Sequence, residues 1–269
     1  EMLRSLVGSE MCIRDRTVIA FANQKGGVAK TTSTYNVGVA LAKKGKRTLI
    51  IDLDSQASLT ISAGLEPFEY DNTIVTALKK EGSDIEKCIL SLQINLDICT
   101  SRLELAQMEI EMIGRAMRET ILKRAIAPVL DKYDFILLDC PPQLGLLTIN
   151  ALACSDYVVI PVKTDYLAYR GVELLMESIA EVKTLINPQL SVMGVVATMF
   201  EKRVKDDNEI LQALSQKHNV IGVVKKMAIA KKGVYTGLSV SEQSPKNDVA
   251  TEYGKVLSLI HISEPTRLL

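Results

Sequence analysis

Nine consecutive residues near the start of the chain, Gln24-Lys25-Gly26-Gly27-Val28-Ala29-Lys30-Thr31-Thr32, combine the types needed to hold a chain of phosphates. Two glycines let the backbone approach phosphate oxygens. Successive N–H groups at the opening of a helix supply donors and partial positive charge. A lysine at position 30 would reach the β- and γ-phosphates, and the Thr31 hydroxyl would ligate Mg2+. The ordinary phosphate-loop pattern, G-x-x-x-x-G-K-[ST], is not met, because Gln24 and Ala29 stand where its glycines belong. The segment reads instead K-G-G-x-x-K-T-T, with an additional lysine at Lys25.

Carboxylates close two apolar runs further along. Ile50-Ile51-Asp52-Leu53-Asp54-Ser55-Gln56 ends one, and Phe135-Ile136-Leu137-Leu138-Asp139-Cys140-Pro141-Pro142 ends the other. Phosphoryl transfer is largely positioning and charge neutralisation, so few such groups suffice. Taken alone, Asp52 and Asp54 are equally suited to capping a turn after a strand.

These residues must be held by the elements around them. Short apolar runs occur at 17–23, 48–52, 135–139, 157–162, 192–198 and 220–224, with a further short strand expected at 94–99. The main runs are continuous rather than alternating, as parallel strands buried on both faces require. Helical patterns lie between them at 31–44, ending at Gly45, and at 115–133, where Pro128 would kink or divide the helix. Two more follow, at 169–186, before Asn187-Pro188, and at 206–217. Strand and helix in alternation predict an α/β fold: a doubly wound, mainly parallel sheet flanked by helices. In such sheets ligands sit beyond the carboxyl ends of the strands, where the phosphate-binding segment and the carboxylates lie.

The K-G-G-x-x-K-T-T segment resembles the deviant Walker A motif of the ParA/MinD family of P-loop NTPases. The match continues through Asp52-x-Asp54-x-Gln56, Asp139-Cys140-Pro141-Pro142, Gly145-Leu146-Leu147-Thr148, Asn150-Ala151-Leu152, Val159-Ile160-Pro161-Val162, Asn187-Pro188 and Thr198-Met199-Phe200. It covers nearly all of 17–198. The resemblance implies that Lys25 reaches the nucleotide of a partner subunit and that Asp54 positions or activates the attacking water. It also implies that Gln56 lies in a switch loop and that Asp139 holds Mg2+ through water. The expected nucleotide-binding set is Lys25, Gly26, Gly27, Val28, Ala29, Lys30, Thr31 and Thr32, with Lys25, Lys30 and Asp54 catalytic and Thr31 and Asp139 at the metal. Family members usually carry glycine at position 29; alanine there predicts a negative φ. The D-C-P-P signature resembles the chromosome- and plasmid-partitioning branch most closely.

Lys plus Arg and Asp plus Glu both number 32, so net charge is zero and no global basic field draws the chain to nucleic acid. Trp is absent and aromatics are 4%, which argues against base-stacking platforms. DNA contact must come from local patches: Lys202, Arg203 and Lys205, and Lys225, Lys226, Lys231 and Lys232. Lysine and arginine without aromatics suit sequence-independent phosphate binding. By resemblance Arg203 aligns with an arginine that touches the DNA backbone, whereas Ile229 replaces another. A family proline that borders the adenine site is missing from the same stretch.

Five cysteines, an odd number without CxxC pairs, read as reduced thiols in a cytosolic protein, with Cys140 a small buried residue. No metal-ligand group is expected from His218, a turn residue, and His261. The ends, 1–16 and 258–269, resemble translated sequencing-adapter read-through and are set apart from a single expected domain at 17–257. So short a stretch before Thr17 is expected to leave no room for an N-terminal winged-helix domain.

The resemblance implies a cytoplasmic, nucleoid-associated partitioning ATPase using ATP and Mg2+. ATP would join two subunits, the homodimer would bind duplex DNA nonspecifically, and a ParB-like partner would stimulate hydrolysis. Two alternatives stay open. A MinD-like membrane-surface ATPase would need a C-terminal basic amphipathic helix, which 258–269 does not supply, so no membrane is expected. A metabolic P-loop enzyme, an iron protein or a ligase, would share the scaffold.

Overall fold

A computed structural model describes residues 16–80, 84–226, 236–244, 252, 253 and 256. Lys231, Lys232, Ile229, and the segments 1–15 and 258–269 lie outside the described residues.

Eight strands form one sheet in the order β3-β4-β2-β5-β1-β6-β7-β8. They are β1 (Thr17–Phe21), β2 (Thr48–Asp52), β3 (Ile89–Gln93), β4 (Leu96–Cys99), β5 (Phe135–Asp139), β6 (Tyr157–Lys163), β7 (Ser191–Phe200) and β8 (Val220–Lys225). All neighbours pair in parallel except β3, which runs antiparallel to β4.

The continuous apolar runs are explained by burial on both faces. Val18 and Ala20 of β1, Leu49 and Ile51 of β2 and Ile136 and Leu138 of β5 join one core; Ile19 and Phe21, Ile50, and Phe135 and Leu137 join the other. Helix α1 (Lys30–Lys43) lies on the second face with α2 (Ser58–Ser62) and α9 (Val240–Gln243). Gly38 permits α1 its close approach: a Cβ there would stand 2.8 Å from Ile50 Cγ2. The first face is covered by α3 (Ile74–Lys79), α4 (Leu105–Ile113), α5 (Ile121–Ile126), α6 (Leu146–Cys154), α7 (Tyr166–Leu185) and α8 (Lys205–Lys217). Gly45 ends α1 as expected, with φ 80° and its amide on the Ala42 carbonyl.

The structure corrects several expectations. Residues 94–99 are not all strand: Ile94 and Asn95 form the turn between β3 and β4, with Asn95 at φ 63°, a conformation that asparagine tolerates. The antiparallel edge strand β3 has no counterpart among the expected strands. The helix at 115–133 is broken into a 3-10 turn (Arg118–Thr120), α5 and a second 3-10 stretch (Ala127–Lys132), the last containing Pro128, which has no N–H to donate. Helix α7 begins three residues before the expected Tyr169, because Asp165 caps it by accepting from the Ala168 amide.

The strand order places β1 between β5 and β6, so the sequence-adjacent strand β2 lies beyond β5. The loops after β1, β2 and β5 therefore open at one end of the sheet, side by side.

Candidate nucleotide site

The loop joining β1 to α1 is shaped by two left-handed residues, Gly27 (φ 70°) and Ala29 (φ 63°). The negative φ expected of Ala29 is thus not what the fold adopts. The chain must reverse sharply to deliver α1, and Ala29 occupies the helix N-cap position. An alanine in this conformation costs about 1–2 kcal/mol, which glycine would avoid. No side chain caps α1, so the first-turn amides point outward without a side-chain acceptor.

Around this loop lies a hollow of about 360 Å³ lined by Gly26, Gly27, Ala29, Lys30, Thr31 and Thr32, with Asp54, Ser58, Ile61, Ser62, Pro142 and Met199. Val28 is buried and turns inward, its carbonyl accepting the Thr198 hydroxyl at 3.0 Å. The Lys30 ammonium folds back onto the Lys25 carbonyl at 3.0 Å. Burial lowers the Lys30 pKa, against the carboxylates of Asp139 and Asp54.

Asp139 sits behind the loop, 1% exposed. Its Oδ2 accepts the Thr31 hydroxyl at 2.7 Å and its Oδ1 the Thr34 hydroxyl at 3.3 Å. Asp52 pairs with it in register across β2 and β5. Asp52 is also fully buried and accepts the Thr60 amide and hydroxyl and the Asp54 amide. Burial, and then the charge of Asp52, pushes Asp139 up to about 8. Burial raises Asp52 to about 6 in spite of its hydrogen bonds. Two carboxylates so placed resist ionising together, and a divalent cation would relieve them. A hydroxyl and a carboxylate are hard oxygen donors of the kind Mg2+ takes, so the residues present fit that ion.

Lys25 turns away from the hollow. Its ammonium pairs with Asp165 Oδ1 at 2.8 Å. Its amide is held by Asn23 Oδ1, and Asn23 Nδ2 in turn donates to the Pro161 carbonyl.

The structure thus gathers Gly26, Gly27, Ala29, Lys30, Thr31, Thr32 and Asp54 at one hollow, with Asp139 directly behind Thr31. Sequence reasoning overlooked Thr34, which steadies Asp139; its spacing three residues after Thr31 was the available signal. It also overlooked Asp165, an Asp standing just before a helical pattern, and Met199.

The basic patches are partly neutralised. Lys226 pairs with Glu201 at 2.6 Å and Lys205 with Glu209 at 3.4 Å. Asp207 is engaged by the Thr164 hydroxyl and the Glu201 amide. Lys202 and Arg203 are exposed in the loop after β7, and Lys225 ends β8. Among the described residues there is no cluster of metal-binding side chains of the His/Cys/Asp/Glu type, and no helix is long and apolar enough to cross a membrane. Cys88, Cys99, Cys140 and Cys154 are free thiols, Cys140 buried as expected.

Comparison with known proteins finds the AAA domain family AAA_31 matching residues 16–192. An uncharacterised Mycobacterium tuberculosis protein is 40% identical over 195 residues, which is 72% of this chain and 61% of that protein. The chain therefore spans under two thirds of that relative's length. The sporulation initiation inhibitor protein Soj of Bacillus subtilis is 39% identical over 199 residues, 74% of this chain and 79% of Soj. Among solved structures, a putative plasmid partition protein of Borrelia burgdorferi bound to AMPPNP has a TM-score of 0.80 at 26% identity, covering 92% of this chain and 99% of that one. Cobyrinic acid a,c-diamide synthase of Mycobacterium smegmatis with ADP and magnesium has a TM-score of 0.80 at 29% identity, covering 91% and 94%.

Proposed function

Because this chain belongs to the AAA_31 family, among the ParA/Soj-like P-loop ATPases, we propose that it hydrolyses ATP with Mg2+ as a DNA-partitioning switch. The observation that carries this reading is the joint between Thr31, which lines a lysine- and glycine-lined hollow, and the buried Asp139 behind it, 2.7 Å apart. Thr31 and Asp139 would hold Mg2+, which supplies charge neutralisation on the phosphates. The outward amides of α1 and the Lys30 ammonium bind and orient the phosphate chain. Asp54, on the hollow, is the residue suited to orient an attacking water. Pro142 packs against Gly26, where an added Cβ would lie 3.9 Å away, and so closes one side of the loop.

In this reading ATP joins two copies of the chain, and Lys25 leaves Asp165 to reach the partner's nucleotide. The dimer then presents Lys202, Arg203, Lys205, Lys225 and Lys226, with Lys231 and Lys232 as part of the same proposal, to duplex DNA without regard to sequence. A ParB-like protein would stimulate hydrolysis and release. The site would act at the nucleoid in the cytoplasm, within one domain at 17–257. The Soj relative and the Borrelia partition protein support this branch.

A second reading is favoured by the cobyrinic acid a,c-diamide synthase likeness: a metabolic enzyme that couples the same site to amide formation. The ATPase rate with and without duplex DNA and a ParB-like protein separates the two. Stimulation by both together supports partitioning. A rate indifferent to DNA and partner sinks it in favour of the metabolic reading.

A further inference from the structure

The buried carboxylate of Asp52 holds both ends of the loop that follows it. Its Oδ1 accepts the Asp54 amide at 3.1 Å; its Oδ2 accepts the Thr60 amide at 2.9 Å and the Thr60 hydroxyl at 2.8 Å. The chain between these attachments turns tightly. The Ala57 amide returns to the Asp54 carbonyl at 2.9 Å, and Ala57 takes a left-handed φ of 52° just before α2 begins. What this loop and α2 present to the hollow, Asp54, Ser58, Ile61 and Ser62, therefore hangs from one side chain.

Thr60 connects that side chain to a neighbouring strand. Thr60 is fully buried. A hydroxyl has one hydrogen to donate and lone pairs to accept with. The hydrogen goes to Asp52, and a lone pair takes the Ser101 amide at 3.0 Å. Ser101 lies just past the end of β4, the strand beside β2. The Thr100 carbonyl before it accepts the Ile74 amide at 2.9 Å, which fixes this stretch to the start of α3. Amide, hydroxyl and carboxylate thus form one directed chain from the end of β4 to the Asp54 loop. Filling the space would need only a valine; making the chain needs the hydroxyl.

We infer that Thr60 is a positioning residue for ATP hydrolysis: it ties the Asp52-anchored loop to the end of β4, so that Asp54 is held where an attacking water is oriented. The assignment rests on the reading of Asp54 above. Thr60 does not line the hollow, and the phosphate-binding residues 26–32 belong to a different loop. Its loss therefore acts on turnover and spares nucleotide binding. A misplacement of about 1 Å at a group that orients a reactant costs about a hundredfold in rate.

The test measures kcat for ATP hydrolysis and, separately, ATP affinity by calorimetry, both with Mg2+. It uses the full chain and the variants Thr60→Val, Thr60→Ser, Thr60→Cys and Asp54→Ala. Thr60→Val should lower kcat at least about tenfold and leave ATP affinity unchanged. Thr60→Ser keeps the hydroxyl and should restore kcat. Thr60→Cys resembles serine in shape but hydrogen-bonds weakly, so its kcat should fall below that of Thr60→Ser. That comparison carries the test if Thr60→Val does not fold. Wild-type kcat in Thr60→Val, parallel loss of kcat and affinity, or equal kcat in the serine and cysteine variants would overturn the assignment. An inactive Asp54→Ala beside a fully active Thr60→Val would refute the role of Thr60 alone. Wild-type turnover in Asp54→Ala would remove the Asp54 reading and this assignment with it.

Discussion

The Lys25 ammonium lies 2.8 Å from Asp165 Oδ1, although 140 residues separate the two in sequence. Asp165 also caps α7 through the Ala168 amide and pairs with Lys163 at 3.1 Å. Burial alone would push its carboxyl up, but the hydrogen bonds from Lys25, Ala168 and Lys163 hold it at about 2. The lysine proposed to serve a partner's nucleotide is thus held within its own chain, beside the start of a helix.

If ATP joins two copies as proposed, that pairing would act as a brake on dimer formation. Asp165→Asn keeps an oxygen for the α7 cap and removes the charge that retains Lys25. Sedimentation with ATP should show the dimer favoured over wild type, and Lys25→Ala should show it abolished. A dimer weakened in Asp165→Asn would mean that the pair serves the assembled state instead.

Ala29→Gly should raise stability by about 1 kcal/mol, because the left-handed φ of 63° costs alanine more than glycine loses in chain entropy. Urea denaturation of the nucleotide-free chain reads this directly. A drop in stability would show that the strain is relieved elsewhere in the loop.

Asp139 and Asp52 should make the proposed metal site sensitive to pH. Both carboxyls are raised above their ordinary range, to about 8 and about 6. The neutral forms are therefore favoured by the fold. Their stabilising share is complete below the unfolded carboxyl range and is lost as pH rises through the folded values. Mg2+ needs the ionised form, so metal-dependent nucleotide affinity should climb between about pH 6 and pH 8 with proton release. Asp52→Asn removes the neighbouring charge and should shift that climb to lower pH. Calorimetry in buffers of differing ionisation enthalpy measures both; a flat profile across the window would exclude Asp139 as a metal group.

Lys30→Ala should abolish nucleotide binding, whereas Asp54→Ala should bind ATP and fail to turn it over. Filter binding and phosphate release separate the two effects. Hydrolysis at the wild-type rate in Asp54→Ala would remove that residue from the mechanism.

DNA binding should depend on ATP, ignore sequence and weaken steeply with salt. Replacing Lys202 and Arg203 by Glu should reduce the log–log slope by about 0.9 for each phosphate no longer neutralised. The pairing of Lys226 with Glu201 predicts that Lys226 contributes less than those two. A salt series on unrelated duplexes with ATP and with ADP checks this. Identical binding in the two nucleotide states would show the patch to be an ordinary solvated face.

The chain by itself determined the class of fold and the parts of the site that are local. Continuous apolar runs require burial on both faces, and the two cores on either side of the sheet meet that requirement. The phosphate loop is a contiguous segment whose glycines, lysine and threonines act through nearby backbone, so its chemistry is readable in order. Five helices were missed. α2, α3 and α9 are too short to show a period, and α6 is apolar on most of its surface, so none of these carries the stripe that marks a surface helix. α4 does carry one, Leu105, Met108 and Met112 at i, i+3 and i+7, but over only nine residues between loops. Only the tertiary structure decided which distant groups meet. Strand order set Asp52 against Asp139, and the end of β6 brought Asp165 to Lys25. A one-residue bulge in β7 turned Met199 toward the hollow. It also decided the backbone of Ala29, since the turn that delivers α1 imposes a left-handed residue whatever side chain stands there. Pairing across a sheet depends on which strands become neighbours, and that is a property of the packed whole.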